Sequence, residues 1–117
     1  MIDKLTQDNM SEVARFQNCR DPADLIILKF SAEWCQPCKA MAPVIDQVQY
    51  EYADFVSFYE VDIEKSPMLT QSNNVCSVPT FIAYDVHGKE VFRKFGTLTK
   101  EAFCGLIKTT LEELKVL

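Results

Sequence analysis

The chain has 117 residues, of which 48% are apolar and 25% charged, and its formal net charge is -5. This length suits one domain over 1–117 with one core, and the composition is that of a folded globular chain. The acidic balance argues against a nucleic-acid phosphate surface, which would need a basic patch.

Residues 1–5 read as a short edge strand. Charges come early there, at Asp3 and Lys4, and no apolar signal-peptide core follows. Residues 8–18 read as a helix, with Thr6 or Asp8 as cap and Met10, Val13 and Ala14 on one face. After the turn signal Asp21-Pro22, residues 25–30 form an almost wholly apolar run that suits a strand buried on both faces. Its core, Leu25-Ile26-Ile27-Leu28, is the longest apolar stretch and far too short to span a bilayer. Residues 36–53 read as a long helix, because Met41, Ile45, Val48 and Tyr52 recur at helical spacing, and Pro43 should kink it. A second buried strand is expected over 55–61 and a short helix over 66–73, with Ser66 as cap and Pro67 at its first position. Strands over 80–85 and 90–95, joined by Val86-His87-Gly88-Lys89, predict a hairpin. An amphipathic helix over 99–115, with Phe103, Ile107, Leu111 and Leu114 on one side, closes the chain. This alternation implies an α/β fold with a central mixed sheet covered by helices on both faces.

The chain has five cysteines, and only Cys35 and Cys38 form a local motif. With no leader or membrane span in view, a cytoplasmic location without membrane contact is expected. There a cysteine pair points to redox chemistry or metal binding rather than to a structural staple. Structural zinc needs four ligands, and Cys19, Cys76, Cys104 and His87 have no ligand-like spacing to supply them.

Cys35-Gln36-Pro37-Cys38 follows a buried strand and opens a helix. A free cysteine ionises near about pH 8.5, so little of it is thiolate at neutral pH. The unpaired N–H groups and dipole of a helix N-terminus stabilise an anion, so Cys35 is expected to gain thiolate character there. Cys38, one turn further in, should be more buried and less reactive. Cys35 can attack a substrate disulfide, and Cys38 can then resolve the mixed disulfide and release the reduced substrate. Pro37 stiffens the turn between them.

The segment Phe30-Ser31-Ala32-Glu33-Trp34-Cys35-Gln36-Pro37-Cys38-Lys39 resembles the active-site segment of thioredoxins. It is joined, in order along nearly the whole chain, by Ala42-Pro43, Val61-Asp62, Val78-Pro79-Thr80-Phe81 and a late Gly96. The resemblance implies the thioredoxin fold: a central mixed sheet of about five strands flanked by four α-helices. It implies a protein-disulfide reductase with a redox-active Cys35–Cys38 disulfide, acting in electron transport and cell redox homeostasis. Trp34, Gln36, Pro37, Val78, Pro79 and Gly96 would form the substrate-binding surface. Pro79 would be the family's cis-proline, packed on the active-site sulfurs, and the Val78 backbone would offer strand-like hydrogen bonds to an extended substrate. No cofactor would be bound; NADPH and FAD would enter indirectly, through a thioredoxin reductase. Other partners would be disulfide-containing proteins such as peroxiredoxins or ribonucleotide reductase, and the protein would act as a monomer.

The chain departs from the family pattern twice. Gln36 stands where thioredoxins usually have glycine, which bears on the redox potential and adds bulk to the substrate face. Where the family carries a buried aspartate on the preceding strand, with a lysine on the neighbouring one, this chain has Lys29 and Glu60. The expectation is a partly buried Lys29–Glu60 ion pair below Cys38 that takes over the proton handling of the aspartate. The alternative is a Lys29 that snorkels from a strand end and a solvated Glu60. Cys19, Cys76 and Cys104 read as small hydrophobes, although Cys76 falls in a loop expected near the dithiol and is a candidate for glutathionylation or pairing between molecules. Two alternative functions share these residues: a thioredoxin-like oxidant or isomerase, and a thioredoxin-fold adaptor with little redox activity.

Overall fold

The apolar run that opens at Leu25 becomes the middle strand of a five-stranded sheet. The computed structural model describes residues 23–117 and the backbone of 3–5. In chain order the elements are β1 (Asp3–Leu5), β2 (Leu25–Ser31), α1 (Gln36–Glu51), β3 (Val56–Asp62), α2 (Pro67–Ser72), β4 (Thr80–Tyr84), β5 (Glu90–Phe95) and α3 (Lys100–Glu113). The helix expected over 8–18, its Thr6 or Asp8 cap, and Cys19 lie outside the described residues.

The strand order is β1-β3-β2-β4-β5. β3 runs parallel to both β1 and β2, while β2–β4 and β4–β5 are antiparallel. Every residue of β2 is buried, as a central strand covered on both faces requires. Side chains alternate across the sheet, so the two faces collect different residues. On one face Leu25 and Ile27, Val56 and Phe58, and Phe81 and Ala83 meet Met41, Ile45 and Val48 of α1 and Phe103, Ile107 and Leu111 of α3. On the other, Ile26, Leu28, Phe30, Val61 and Ile82 pack with Leu69 of α2.

Several element ends differ from the sequence expectation by one or two residues. α1 stops at Glu51 rather than at residue 53, because Tyr52 leaves the helical region at φ -113 and its N–H closes the last turn onto Val48 O. β4 ends at Tyr84, where a register irregularity at Ala83/Tyr84 breaks the ladder to β5, and the Asp85 carboxylate then caps the turn by accepting from His87 N and Lys89 N. Ser66 precedes α2 as expected, but its side chain makes no capping bond. Its Oγ is buried without a hydrogen-bond partner among the described residues, and only its carbonyl serves the helix, accepting from Thr70. α3 ends at Glu113 rather than at 115, since Lys115 takes a left-handed φ of 62°.

Candidate active site

β2 delivers the chain to the C-terminal edge of the sheet, and a short turn leads into α1. Cys35 is the N-cap residue of that helix, in extended conformation, and Cys38 lies in its first turn. The two are joined by a disulfide. The Cys35 sulfur accepts a hydrogen bond from Cys38 N at 3.2 Å, so an otherwise unpaired helix-terminal N–H points at that sulfur. Burial does not separate the pair as the sequence suggested: Cys35 is 4% exposed and Cys38 2%. What separates them is their relation to the helix terminus. Cys35 Sγ takes the capping position, which favours negative charge, whereas Cys38 stands inside the turn.

The remaining expected residues gather around this pair. Trp34, Gln36 and Pro37 are exposed, Trp34 to 62%. The Val78–Pro79 peptide bond is cis, Pro79 is buried, and Val78 packs against the cluster of Ala32, Cys35 and Cys38. Gly96 N donates to Pro79 O at 2.9 Å, which brings the end of β5 to the same edge. Gly96 sits at φ 80°, a left-handed conformation that favours glycine.

Lys29 and Glu60 stand beneath the dithiol for a reason of parity. They continue the rows Leu25–Ile27 and Val56–Phe58, so they point to the α1 face, and they are register partners in the parallel β2–β3 ladder. Along these rows the face turns from apolar to polar: Lys29, Ser31, Glu60 and Asp62 line a cleft of about 270 Å³ that also touches Cys38 and Lys39. Lys29 Nζ donates to Cys38 O at 2.9 Å and lies 3.5 Å from Glu60 Oε2. The Lys29 side chain is 3% exposed, so it does not snorkel, while Glu60 is partly exposed at 23%.

Several residues that hold the site gave no signal in the sequence. Trp34 Nε1 donates to Glu64 Oε1 at 2.9 Å, and Lys65 pairs with Glu33 at 3.7 Å, so the loop after β3 clasps the turn before Cys35. Asp62 shapes that loop by accepting from Glu64 N and Lys65 N. The segment from α2 to Pro79 is pinned at Asn73. Arg93 Nη1 donates to Asn73 O at 2.8 Å, and Tyr84 OH donates to Asn73 Oδ1 at 2.6 Å. Burial, and secondarily Glu90, push the Tyr84 phenol up to about 12, so it remains a donor throughout the neutral range. These pairs join side chains far apart in sequence, and only the strand order and register bring them together.

Two free cysteines are described, and they are not alike. Cys76 is exposed, contrary to its reading as a small buried hydrophobe. Cys104 is half-buried, and its thiol donates to Glu51 Oε2 at 3.0 Å. Burial and that carboxylate push the Cys104 thiol up to about 11. Cys104 is therefore held far more protonated at pH 8 than an ordinary cysteine. Iodoacetamide at pH 8 should label Cys76 of the oxidised protein ahead of Cys104, with Cys104 slower by about an order of magnitude in a peptide mass-spectrometric time course.

Among the described residues no group of His, Cys, Asp and Glu could hold a metal ion, and no helix is long and apolar enough to cross a membrane. The thioredoxin family model matches residues 5–109. A thioredoxin of Chlamydia trachomatis is 33% identical over 107 residues, covering 92% of this chain and 96% of the relative. A chloroplastic thioredoxin z superposes with a TM-score of 0.80 at 23% identity, covering 93% of each chain, which supports the fold. A second solved chain has a TM-score of 0.76 at 30% identity and covers 92% of this chain and 94% of its own; its structure concerns thiol resolution in a yeast mitochondrial 1-Cys peroxiredoxin by the glutathione and thioredoxin systems. This chain belongs to the thioredoxin family and is a thiol–disulfide oxidoreductase.

Proposed function

We propose that this chain is a protein-disulfide reductase in which Cys35 attacks the substrate disulfide and Cys38 resolves the intermediate. The observation that carries this reading is the Cys35 sulfur at the N-cap, accepting the Cys38 N–H at 3.2 Å. In the reduced protein that donor stabilises a Cys35 thiolate. The thiolate bonds to one substrate sulfur, and the other leaves as a thiolate and takes up a proton. Cys38 then gives up its proton and attacks Cys35 Sγ, which releases the second substrate sulfur and leaves the Cys35–Cys38 disulfide. The Lys29–Glu60 pair handles the Cys38 proton across the cleft they share, with Glu60 as its acceptor.

Trp34, Gln36, Pro37, Val78, Pro79 and Gly96 form the surface that receives the substrate, and the Val78 backbone pairs with an extended substrate segment. Thioredoxins carry no bound cofactor. Electrons return from NADPH through an FAD-containing thioredoxin reductase, and the clients include peroxiredoxins or ribonucleotide reductase. The protein works as a single-domain monomer in the cytoplasm, within cell redox homeostasis. The test is insulin reduction with dithiothreitol as recycling reductant. The protein should accelerate precipitation of the insulin B chain well above dithiothreitol alone, and no acceleration would contradict the reading.

A further inference from the structure

The polar floor of the cleft carries charges of both signs. Glu60 and Asp62 come from β3, Glu33 from the turn before Cys35 and Lys39 from α1. Among them Lys29 is distinctive: its side chain is almost wholly buried and its ammonium is tied directly to the residue of the second cysteine, through Cys38 O. The disulfide is neutral, whereas the reduced pair carries a negative charge once one thiol ionises. A cation fixed beside the pair therefore acts on one side of the redox equilibrium only. Buried as it is, its field is weakly screened by water and salt. Glu60, at 3.5 Å, offsets part of that field.

We propose that the Lys29 ammonium is the counter-charge of the thiolate in the reduced Cys35–Cys38 pair, and that it shifts the dithiol–disulfide equilibrium of this protein toward the reduced form. The inference rests on the dithiol reading above and adds to it a residue that sets the potential. Lys29 is a positioning and electrostatic residue here, not a base. With glutathione as reductant the step balances as follows. Two glutathione thiols give two electrons to the Cys35–Cys38 bond and form one glutathione disulfide. Of their two protons, one stays on a protein thiol and one goes to solvent as the thiolate forms. The ammonium favours that thiolate without taking part in the electron transfer.

The test is the equilibrium of the full chain with reduced and oxidised glutathione at pH 7, read by acid quenching, thiol alkylation and mass spectrometry. Lys29→Gln should lower the equilibrium constant for reduction about tenfold, which is about 30 mV toward a more reducing potential. Glu60→Gln removes the offsetting charge and should raise the constant. Opposite signs are the signature of a charge effect, because a loss of packing would move both variants the same way. An unchanged constant in Lys29→Gln, or shifts of the same sign in both variants, overturns the proposal. If Lys29→Gln does not fold, Glu60→Gln decides alone: a raised constant supports the proposal, and an unchanged or lowered one overturns it. A wild-type protein that does not equilibrate with glutathione overturns the dithiol reading as well; one that equilibrates while the variants stay put overturns only this inference.

Discussion

Replacing Cys35 by serine is expected to bring insulin reduction down to the rate of dithiothreitol alone. The substitution separates chemistry from architecture. Serine is a good N-cap, and its oxygen can accept the Cys38 N–H that the sulfur accepts now, so α1 should form as before. A hydroxyl cannot enter thiol–disulfide exchange, so no mixed disulfide forms and there is nothing for Cys38 to resolve. A far-ultraviolet circular dichroism spectrum like that of the wild type, with activity gone, is the expected pair of results. Activity retained in this variant would place the reaction on another cysteine, with exposed Cys76 the first to examine.

The largest expected effect on stability is at Phe103. This side chain is wholly buried where α3 meets the sheet. Its ring meets Phe81 edge-on at 5.0 Å and Phe58 at 5.7 Å, so it joins α3 to two strands at once. Phe103→Ala removes the transferred apolar surface, leaves a cavity and forfeits both ring contacts. A cost of about 3–5 kcal/mol is expected. Small domains hold only about 5–15 kcal/mol in total, so the urea midpoint of the oxidised protein should fall steeply. A loss below about 1 kcal/mol would mean that the α3 interface repacks, contrary to the tight ring geometry.

The alternation of strands and helices was legible because its signals were local. β2 is buried on both faces and reads as an almost wholly apolar run, and α1 and α3 carry clear helical spacing in Met41–Ile45–Val48 and Phe103–Ile107–Leu111. Thr99 caps α3 through its hydroxyl although the sequence pattern places it inside the helix, whereas Ser66, expected as the cap of α2, makes no such bond. A cap depends on the dihedral angles of one residue, which composition does not reveal. The dithiol was legible as a motif, and the cis bond at Pro79 only through family resemblance, since most X–Pro bonds are trans. The clasp of Trp34 by Glu64 and the pin of Arg93 and Tyr84 on Asn73 were not legible, because they depend on which strands are neighbours and in what register. Lys29 and Glu60 lie between these cases. Their residue types and strand positions invited the pairing, but the near-complete burial of Lys29 and its bond to Cys38 O follow from the parity of β2 beneath α1.

The most direct test of the central claim is to map the covalent complex that Cys38→Ser forms with insulin. This variant keeps the attacking sulfur and lacks the resolving one, so exchange should halt at the mixed disulfide. Non-reducing electrophoresis followed by peptide mass spectrometry should find the insulin cysteine joined to Cys35. No trapped complex, or one joined through Cys76 or Cys104, would contradict Cys35 as the attacking residue.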